Sequence, residues 1–326
     1  MPTIETNNLS KKYGNLLALD SVSIKVDEGS FFAILGPNGA GKTTLMRILT
    51  TQLPPTGGRA AVMGKDVVSE GDAVRKVVCY VPQEMSVWGD VSGYENLLVY
   101  AKIYGISNSR KKIDDVLKLM DLSGVAHRLV NTYSGGMIRK LEIACAVMPN
   151  PAVLFLDEPT IGLDPGSRKA VWDKIISLKK ELGTTVFFST HYMDEANAYA
   201  DAIGILNKGR IMKVGSPEEL KKTIGGSTIA VELVKAPGQP DINLINRMKG
   251  IHSAGWSGGT LRITLESKNE PLNELFGFMI KKKFGITGIS SSEPTLDDVF
   301  LKYSGTVETK TSLSEIKRMR DRIRKS

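Results

Sequence analysis

Cysteine is scarce: the chain holds two in 326 residues, Cys79 and Cys145, each inside an apolar stretch and neither in a C-x-x-C pair. That excludes a small disulfide-framed scaffold and reads as two core residues of a reduced, intracellular protein. Long apolar runs are missing as well. No stretch approaches the roughly 20 residues that a membrane-spanning helix needs. The first residues lack the charged-then-apolar form of a signal peptide. Acidic charge is in deficit, 35 Asp and Glu against 43 Lys and Arg, for a net charge of +8. About half of that excess lies between Ser304 and Ser326, which holds seven Lys or Arg against three acids. Otherwise the composition, 41% hydrophobic and 24% charged, is that of a globular protein. The length suits two domains, one of them large.

What the sequence does contain is a phosphate loop. Gly36-Pro37-Asn38-Gly39-Ala40-Gly41-Lys42-Thr43-Thr44 fits G-x-x-x-x-G-K-[ST]. It follows the apolar segment Phe31–Leu35 and precedes Thr44–Leu49, whose apolar residues fall at helical spacing. Strand, glycine loop and helix are the context in which the pattern has a mechanism. Glycines let backbone N–H groups close on phosphate oxygens, and the helix adds the positive end of its dipole. Lys42 is then expected on the β- and γ-phosphates of a nucleoside triphosphate and the Thr43 hydroxyl on Mg²⁺.

Period-two patterning at Ile4–Leu9 and Val22–Val26 predicts antiparallel strands beside this core, with Lys11-Lys12-Tyr13-Gly14-Asn15 as an exposed loop between them. From about 91 to 130 the pattern turns helical, as an insert. Strands resume at Val153–Leu156, Thr185–Ser189 and Ala202–Leu206, alternating with helices. The whole predicts a mainly parallel sheet with helices on both faces. Gly225-Gly226-Ser227 marks a domain boundary, so that 1–226 form the nucleotide-binding domain. A β-α-β-β-α-β order follows over 227–303, with strands near 228–234, 251–256, 260–265 and 285–291, and predicts a small ferredoxin-like α+β domain. Residues 304–326 form a basic tail. In it Ser312-Leu313-Ser314-Glu315 has the form of a capping box opening an amphipathic basic helix, suited to anionic lipid or a partner, or else a solvated tail.

Val153–Leu156 delivers two carboxylates, Asp157 and Glu158, at the edge where open α/β sheets hold ligands. Asp157 suits Mg²⁺, and Glu158, turned the other way, suits polarising a water toward the γ-phosphate. Ser134-Gly135-Gly136 opens a helix and offers a hydroxyl, open N–H groups and a dipole to a second anion.

Taken together these motifs closely resemble the nucleotide-binding subunits of ATP-binding-cassette (ABC) transporters, over roughly residues 3–225. The phosphate loop, Gln83, Ser134-Gly135-Gly136, Asp157-Glu158, Leu163-Asp164 and His191 stand in that family's order. The resemblance implies a P-loop NTPase of ABC cassette form that binds ATP and Mg²⁺. It implies that Tyr13 stacks on adenine, that Gln83 is a switch residue touching Mg²⁺ or the attacking water, and that His191 senses the γ-phosphate. It places Asp164 in the loop that crosses a dimer interface, while Asp164-Pro165 also reads as an N-cap and first-turn proline. Tyr133 and Met137 flank the Ser-Gly-Gly where many members have Leu and Gln, and Ile161 stands where Ser or Ala is common. The Tyr/Met form, Tyr94-Glu95-Asn96-Leu97 and the closing Glu293-Pro294-Thr295-Leu296-Asp297-Asp298-Val299-Phe300-Leu301 resemble the ABC-2 branch of drug, antibiotic and lipid exporters. One phosphate loop and one Ser-Gly-Gly imply a head-to-tail dimer, with a second copy the expected partner, sandwiching ATP between subunits. They further imply a separate integral-membrane permease and a cytoplasmic location on the inner face of the membrane. The rival reading is a soluble ABC ATPase acting on nucleic acid or the ribosome. Against it, the chain has neither the two cassettes nor the split by a long coiled coil that such members carry, and no nucleic-acid partner is expected.

Overall fold

The structure, a computed structural model, describes residues 2–224, 226–257, 259–266 and 272–304. Two compact units divide after Ser216. In the first, β1 (Ile4–Tyr13), β2 (Leu16–Val26), β4 (Gly57–Val62) and β5 (Lys65–Asp66) form an antiparallel sheet in the order β2-β1-β4-β5. A six-stranded sheet combines β3 (Phe31–Leu35), β6 (Val78–Val81), β7 (Val153–Asp157), β8 (Thr185–Thr190), β9 (Ala202–Asn207) and β10 (Arg210–Gly215). Its order is β10-β9-β3-β8-β7-β6, parallel throughout except for the β9–β10 hairpin.

The helices of this unit are α1 (Lys42–Leu49), α2 (Gly71–Arg75), α3 (Gly93–Ile103), α4 (Ser109–Leu119), α5 (Gly135–Val147), α6 (Pro165–Leu182) and α7 (Met193–Tyr199). The expected helical insert corresponds to α3 and α4. The parallel strands read as unbroken apolar runs because both faces of the sheet are covered. On one face Phe32, Phe155 and Phe187 pack together at centroid distances of 5.4–5.5 Å, in the same core as Leu45, Met46, Ile48 and Leu49 of α1. On the other, Phe188 meets Trp172 of α6 at 4.8 Å. The apolar side of α1, which anchors the phosphate loop, is fully buried; truncating one of its leucines to alanine removes about 2–5 kcal/mol.

Tyr13 is not in a loop. It is the last residue of β1 and pairs with Leu16, with only Gly14 and Asn15 in the turn. The strand signal was lost because this hairpin tip turns apolar residues outward, Leu16 being 66% and Leu17 44% exposed.

The second unit opens with α8 (Pro217–Lys222) and closes with α11 (Leu296–Ser304), which pack on each other, and Lys302 Nζ donates to the Thr223 carbonyl at 2.6 Å. For that reason the units part ahead of Gly225-Gly226-Ser227. Between these helices lie β11 (Thr228–Leu233), α9 (Gln239–Ile245), β12 (Ile251–Ser257), β13 (Thr260–Leu265), α10 (Asn273–Lys281) and β14 (Ile286–Ser292). The antiparallel sheet order β12-β13-β11-β14 is the ferredoxin-like arrangement anticipated from the element order. The closing motif is a capped helix: Asp298 Oδ2 accepts from Thr295 N at 2.9 Å and Asp298 N donates back to Thr295 Oγ1 at 3.3 Å. The capping-box pattern at Ser312–Glu315 lies outside the described residues.

Candidate active site

Strand register assembles the site. Parallel pairing sets Leu35 of β3 against Thr190 of β8, Asp157 of β7 against Ser189 of β8, and Val81 of β6 against Leu156 of β7. The segments that follow therefore leave the sheet side by side: the phosphate loop after β3, His191 after β8, Glu158 after β7 and Gln83 after β6. This is the carboxyl edge at which α/β sheets hold ligands.

Two glycines let the phosphate loop take its path. Gly41, at the N-cap of α1, has φ 107°, and a Cβ there would lie 2.5 Å from the Ala18 carbonyl oxygen. A Cβ on Gly36 would lie 2.3 Å from the Leu206 carbonyl oxygen. Asn38 and Gly39 are exposed at the tip, Ala40 is buried, and Thr43 and Thr44 are half-buried in the first turn of α1. Lys42 folds back over the loop. Its Nζ donates to the carbonyls of Gly36 at 2.8 Å and Pro37 at 3.3 Å, and lies 3.0 Å from Glu158 Oε1.

Glu158 is 4% exposed. It leaves the strand at φ 49°, which turns its side chain away from that of Asp157. Both carboxylate oxygens are engaged: Oε1 by Lys42 and Oε2 by His191 Nδ1 at 2.7 Å. An ionised carboxylate only accepts, so the shared proton resides on Nδ1. Burial pushes the Glu158 carboxyl up, but His191 and Lys42 together outweigh it and hold the group below its ordinary range. Asp157 faces the other way, accepting from Ser189 Oγ at 2.5 Å and Tyr80 Oη at 3.1 Å. Burial and the neighbouring Asp157 carboxylate raise the Tyr80 phenol, keeping it a proton donor.

The remaining predicted residues make no bond to Lys42, Asp157, Glu158 or His191 among the described residues. Ser134 is the exposed N-cap of α5, its Oγ accepting from Met137 N at 3.3 Å. Asp164 caps α6 through Ser167 N at 3.0 Å, and the Ser167 hydroxyl, then its backbone N–H, hold the carboxyl below the ordinary range. The two caps adjoin: a Cβ on Gly136 would meet the Ser167 side chain at 3.0 Å, and one on Gly135 the Leu163 side chain at 3.1 Å. Gln83 is exposed just beyond β6. Tyr13 is 44% exposed, with Lys11 Nζ 5.3 Å from its ring centroid. A cleft of about 470 Å³ between the end of α1 and α2, lined by Thr51, Val67, Glu70 and Arg75, contains none of these residues.

Sequence reading passed over several residues. Arg139 and Glu142 of α5 form a buried ion pair at 2.9 Å that reaches the segments carrying Gln83 and Glu158. Glu195 of α7 is buried and accepts from Thr160 Oγ1 and, at 3.1 Å, from Thr190 Oγ1, tying the segment after β7 to the end of β8. Burial pushes its carboxyl up. For Arg139 and Glu142 the available signal was a pair of opposite charges three apart at the start of a helix whose later residues are apolar.

As a metal site the donors are sparse. Among the described residues no three His, Cys, Asp or Glu side chains cluster as metal ligands. A single carboxylate (Asp157), a hydroxyl (Thr43) and an amide oxygen (Gln83) are hard oxygen donors. Such a set fits Mg²⁺, which keeps several waters and relies on substrate phosphates.

The ABC transporter family matches residues 19–161, and the family described as ATP-binding protein DrrA1-3-like, C-terminal domain, matches residues 215–304. The daunorubicin resistance ATP-binding protein DrrA3 of Streptomyces coeruleorubidus is 36% identical over 304 residues, covering 93% of this chain and 96% of the relative. The daunorubicin/doxorubicin resistance ATP-binding protein DrrA of Streptomyces peucetius is 37% identical, covering 93% and 92%. Among solved structures, an ATP-binding subunit of an ABC transporter superposes with a TM-score of 0.61 at 27% identity, over 68% of this chain and 92% of that one. A dimeric ATP-binding cassette in a post-hydrolysis state with ADP and Pi gives 0.59 at 27% identity, over 65% and 98%. With a P-loop cassette fold, a phosphate loop and relatives matched along nearly their full length, this chain belongs to the ATP-binding subunits of ABC transporters, in the DrrA-like branch of exporter ATPases that couple ATP hydrolysis to transport.

Proposed function

We propose that Glu158 is the base of the ATPase and that hydrolysis takes place in a head-to-tail dimer of two copies of this chain. The observation that carries this reading is the buried Glu158 carboxylate, held between Lys42 and His191 at the carboxyl edge of the sheet. Triphosphate oxygens compete with Glu158 for the Lys42 ammonium, since they concentrate more negative charge. Once Lys42 turns to phosphate, one of the two influences that lower the Glu158 carboxyl is withdrawn. Burial then lifts its basicity toward what proton abstraction from water requires. Thr43, Asp157 and Gln83 would hold Mg²⁺, which when bound would neutralise phosphate charge; His191 reports the γ-phosphate, and Tyr13 stacks on adenine. Ser134 with Gly135, Gly136 and Asp164 closes on the nucleotide of the opposite subunit.

In this reading the dimer sits on the cytoplasmic face of the membrane against a separate integral-membrane permease. Among the described residues no helix is long and apolar enough to cross a membrane. Relatives named for daunorubicin and doxorubicin resistance support a small-molecule drug as cargo.

Glu158→Gln tests the reading. The variant is expected to bind ATP, to lose turnover about 10²–10⁴-fold, and to elute as a dimer with ATP and a monomer with ADP. Unchanged hydrolysis, or a monomer in ATP, overturns it.

A further inference from the structure

Arg139 lies one turn into α5 and is 6% exposed. Its guanidinium grips two segments at once. Nε donates to the Pro159 carbonyl at 2.7 Å, and Nη2 to the carbonyls of Asp157 at 2.9 Å and Glu158 at 3.3 Å. Nη1 donates to the Pro82 carbonyl at 2.7 Å and to Glu142 Oε2 at 2.9 Å. Glu142, 4% exposed, turns its other oxygen to Ser86, accepting from N at 2.6 Å and from Oγ at 3.1 Å. The Pro82–Ser86 segment, which carries Gln83, and the Asp157–Pro159 segment, which carries Glu158, are thus fastened to the helix that begins at Ser134.

The arrangement suits a guanidinium and little else. Its planar fork addresses carbonyls in several fixed directions, which a single ammonium cannot do. Each carbonyl is a main-chain group, so the contact sets where the backbone of Glu158 sits without touching the carboxylate. Among the described residues Arg139 makes no bond to the phosphate loop or Lys42. A buried network of this kind is rigid only when every member is satisfied, and a shift of one segment must move the others or break the set.

We propose that Arg139 is a positioning residue for ATP hydrolysis: it fixes the main chain around Glu158 and makes that position depend on the Gln83 segment and on α5. The inference rests on Glu158 being the base.

The test compares Arg139→Met, Arg139→Lys and Glu158→Gln in the full chain, each well below its own unfolding temperature. Affinity for ATP is measured by equilibrium binding, and kcat at saturating ATP. Arg139→Met is expected to bind ATP as the native chain does and to lose kcat by about 10²-fold, the scale of an ångström's misplacement of a reacting group. Arg139→Lys, which keeps the charge and serves fewer carbonyls, falls between the two. If Arg139→Met fails to fold, the same split between affinity and kcat in Arg139→Lys decides. A native kcat in the Arg139 variants beside an inactive Glu158→Gln overturns the positioning role and leaves the base assignment standing. An active Glu158→Gln overturns the base assignment itself. Parallel losses of affinity and kcat reduce Arg139 to a structural staple and also overturn the proposal.

Discussion

The residues of the proposed nucleotide site fall into two groups that differ in almost every physical respect. Lys42, Asp157 and Glu158 are nearly fully buried and, with His191 at their edge, are bonded to one another or to the strands beneath them. Ser134, Gly135, Asp164, Gln83 and Tyr13 are exposed. The polar groups of Ser134 and Asp164 have local duties only, each closing the first turn of its own helix. The first group is a prebuilt electrostatic site within one chain. The second is a set of donors and dipoles at adjoining helix ends, with no bond to the first among the described residues. A helix end that faces outward and is satisfied only by its own cap has capacity left for an anion brought by another surface. The difference fits the division of labour proposed above, in which one group would do the chemistry in its own chain and the other would serve the opposite chain.

Mixing two crippled variants attacks that division most directly, and has the largest expected effect. Lys42→Ala removes the buried group's contact to phosphate, and Ser134→Arg blocks the exposed cap. Each alone is expected to lose about 10²–10³-fold in turnover, the range for removing one preorganised donor at developing charge. If the groups act in trans, a mixed dimer has one intact site, formed by the phosphate loop of the Ser134 variant and the cap of the Lys42 variant. Activity should then reappear on mixing at concentrations that support dimers. Should the mixture stay inactive while each variant still dimerises, both groups serve the same chain and the comparison above fails.

Tyr13 sharpens the contrast among the exposed residues. The Lys11 ammonium that lies over its ring also donates to the Pro54 carbonyl at 2.7 Å, so the aromatic is held from beneath by a tethered cation. Tyr13→Ala is expected to weaken ATP binding about tenfold or somewhat more, the worth of one base–aromatic stack, with kcat at saturation unchanged. Tyr13→Trp should restore affinity. An unchanged dissociation constant in Tyr13→Ala would remove Tyr13 from the site.

These two groups were not equally legible in the sequence. The parallel strands, the phosphate loop and the ferredoxin-like order of the second unit are local patterns: short apolar runs, glycines, and alternation with helices. Capping residues such as Asp164 and Thr295 are equally local, since a cap acts within four residues. The placement of Tyr13 on a strand was hidden because its hairpin tip turns leucines to solvent and breaks the alternation on which strand assignment depends. The least legible feature is the buried polar network. Arg139 and Glu142 sit on a helix whose later residues are apolar, and charged residues are by default assigned to the surface. Their partners, Pro82, Ser86 and Asp157–Pro159, come from two separate segments that only the β6–β7 pairing brings together. Nothing in the local sequence encodes that meeting. The bonds of Glu158 to Lys42 and His191 are long-range in the same way, although the motifs supplying all three residues stand out singly.

The smallest effect expected is on stability against pH, and it bears on the buried group alone. Glu158 is held below its ordinary value of 4.5 because the gains from His191 and Lys42 exceed the cost of burial. A depressed folded-state value means that the unfolded chain takes up this proton first as pH falls. The stabilising contribution is therefore complete above the unfolded value and is lost as pH drops below 4.5 and through the lowered folded value. Glu158→Gln has no such proton to gain. The difference in unfolding temperature between the native chain and this variant should be constant near neutrality and shift against the native chain below pH 4.5, measured without nucleotide. Asp164→Asn serves as the exposed counterpart, since its carboxyl is also lowered, there by hydrogen bonds accepted from the hydroxyl and then the backbone N–H of Ser167 in water. Solvent screening makes that contribution smaller. A larger acid shift for Asp164→Asn than for Glu158→Gln would show that the exposed caps, and not the buried pair, hold the stronger electrostatics.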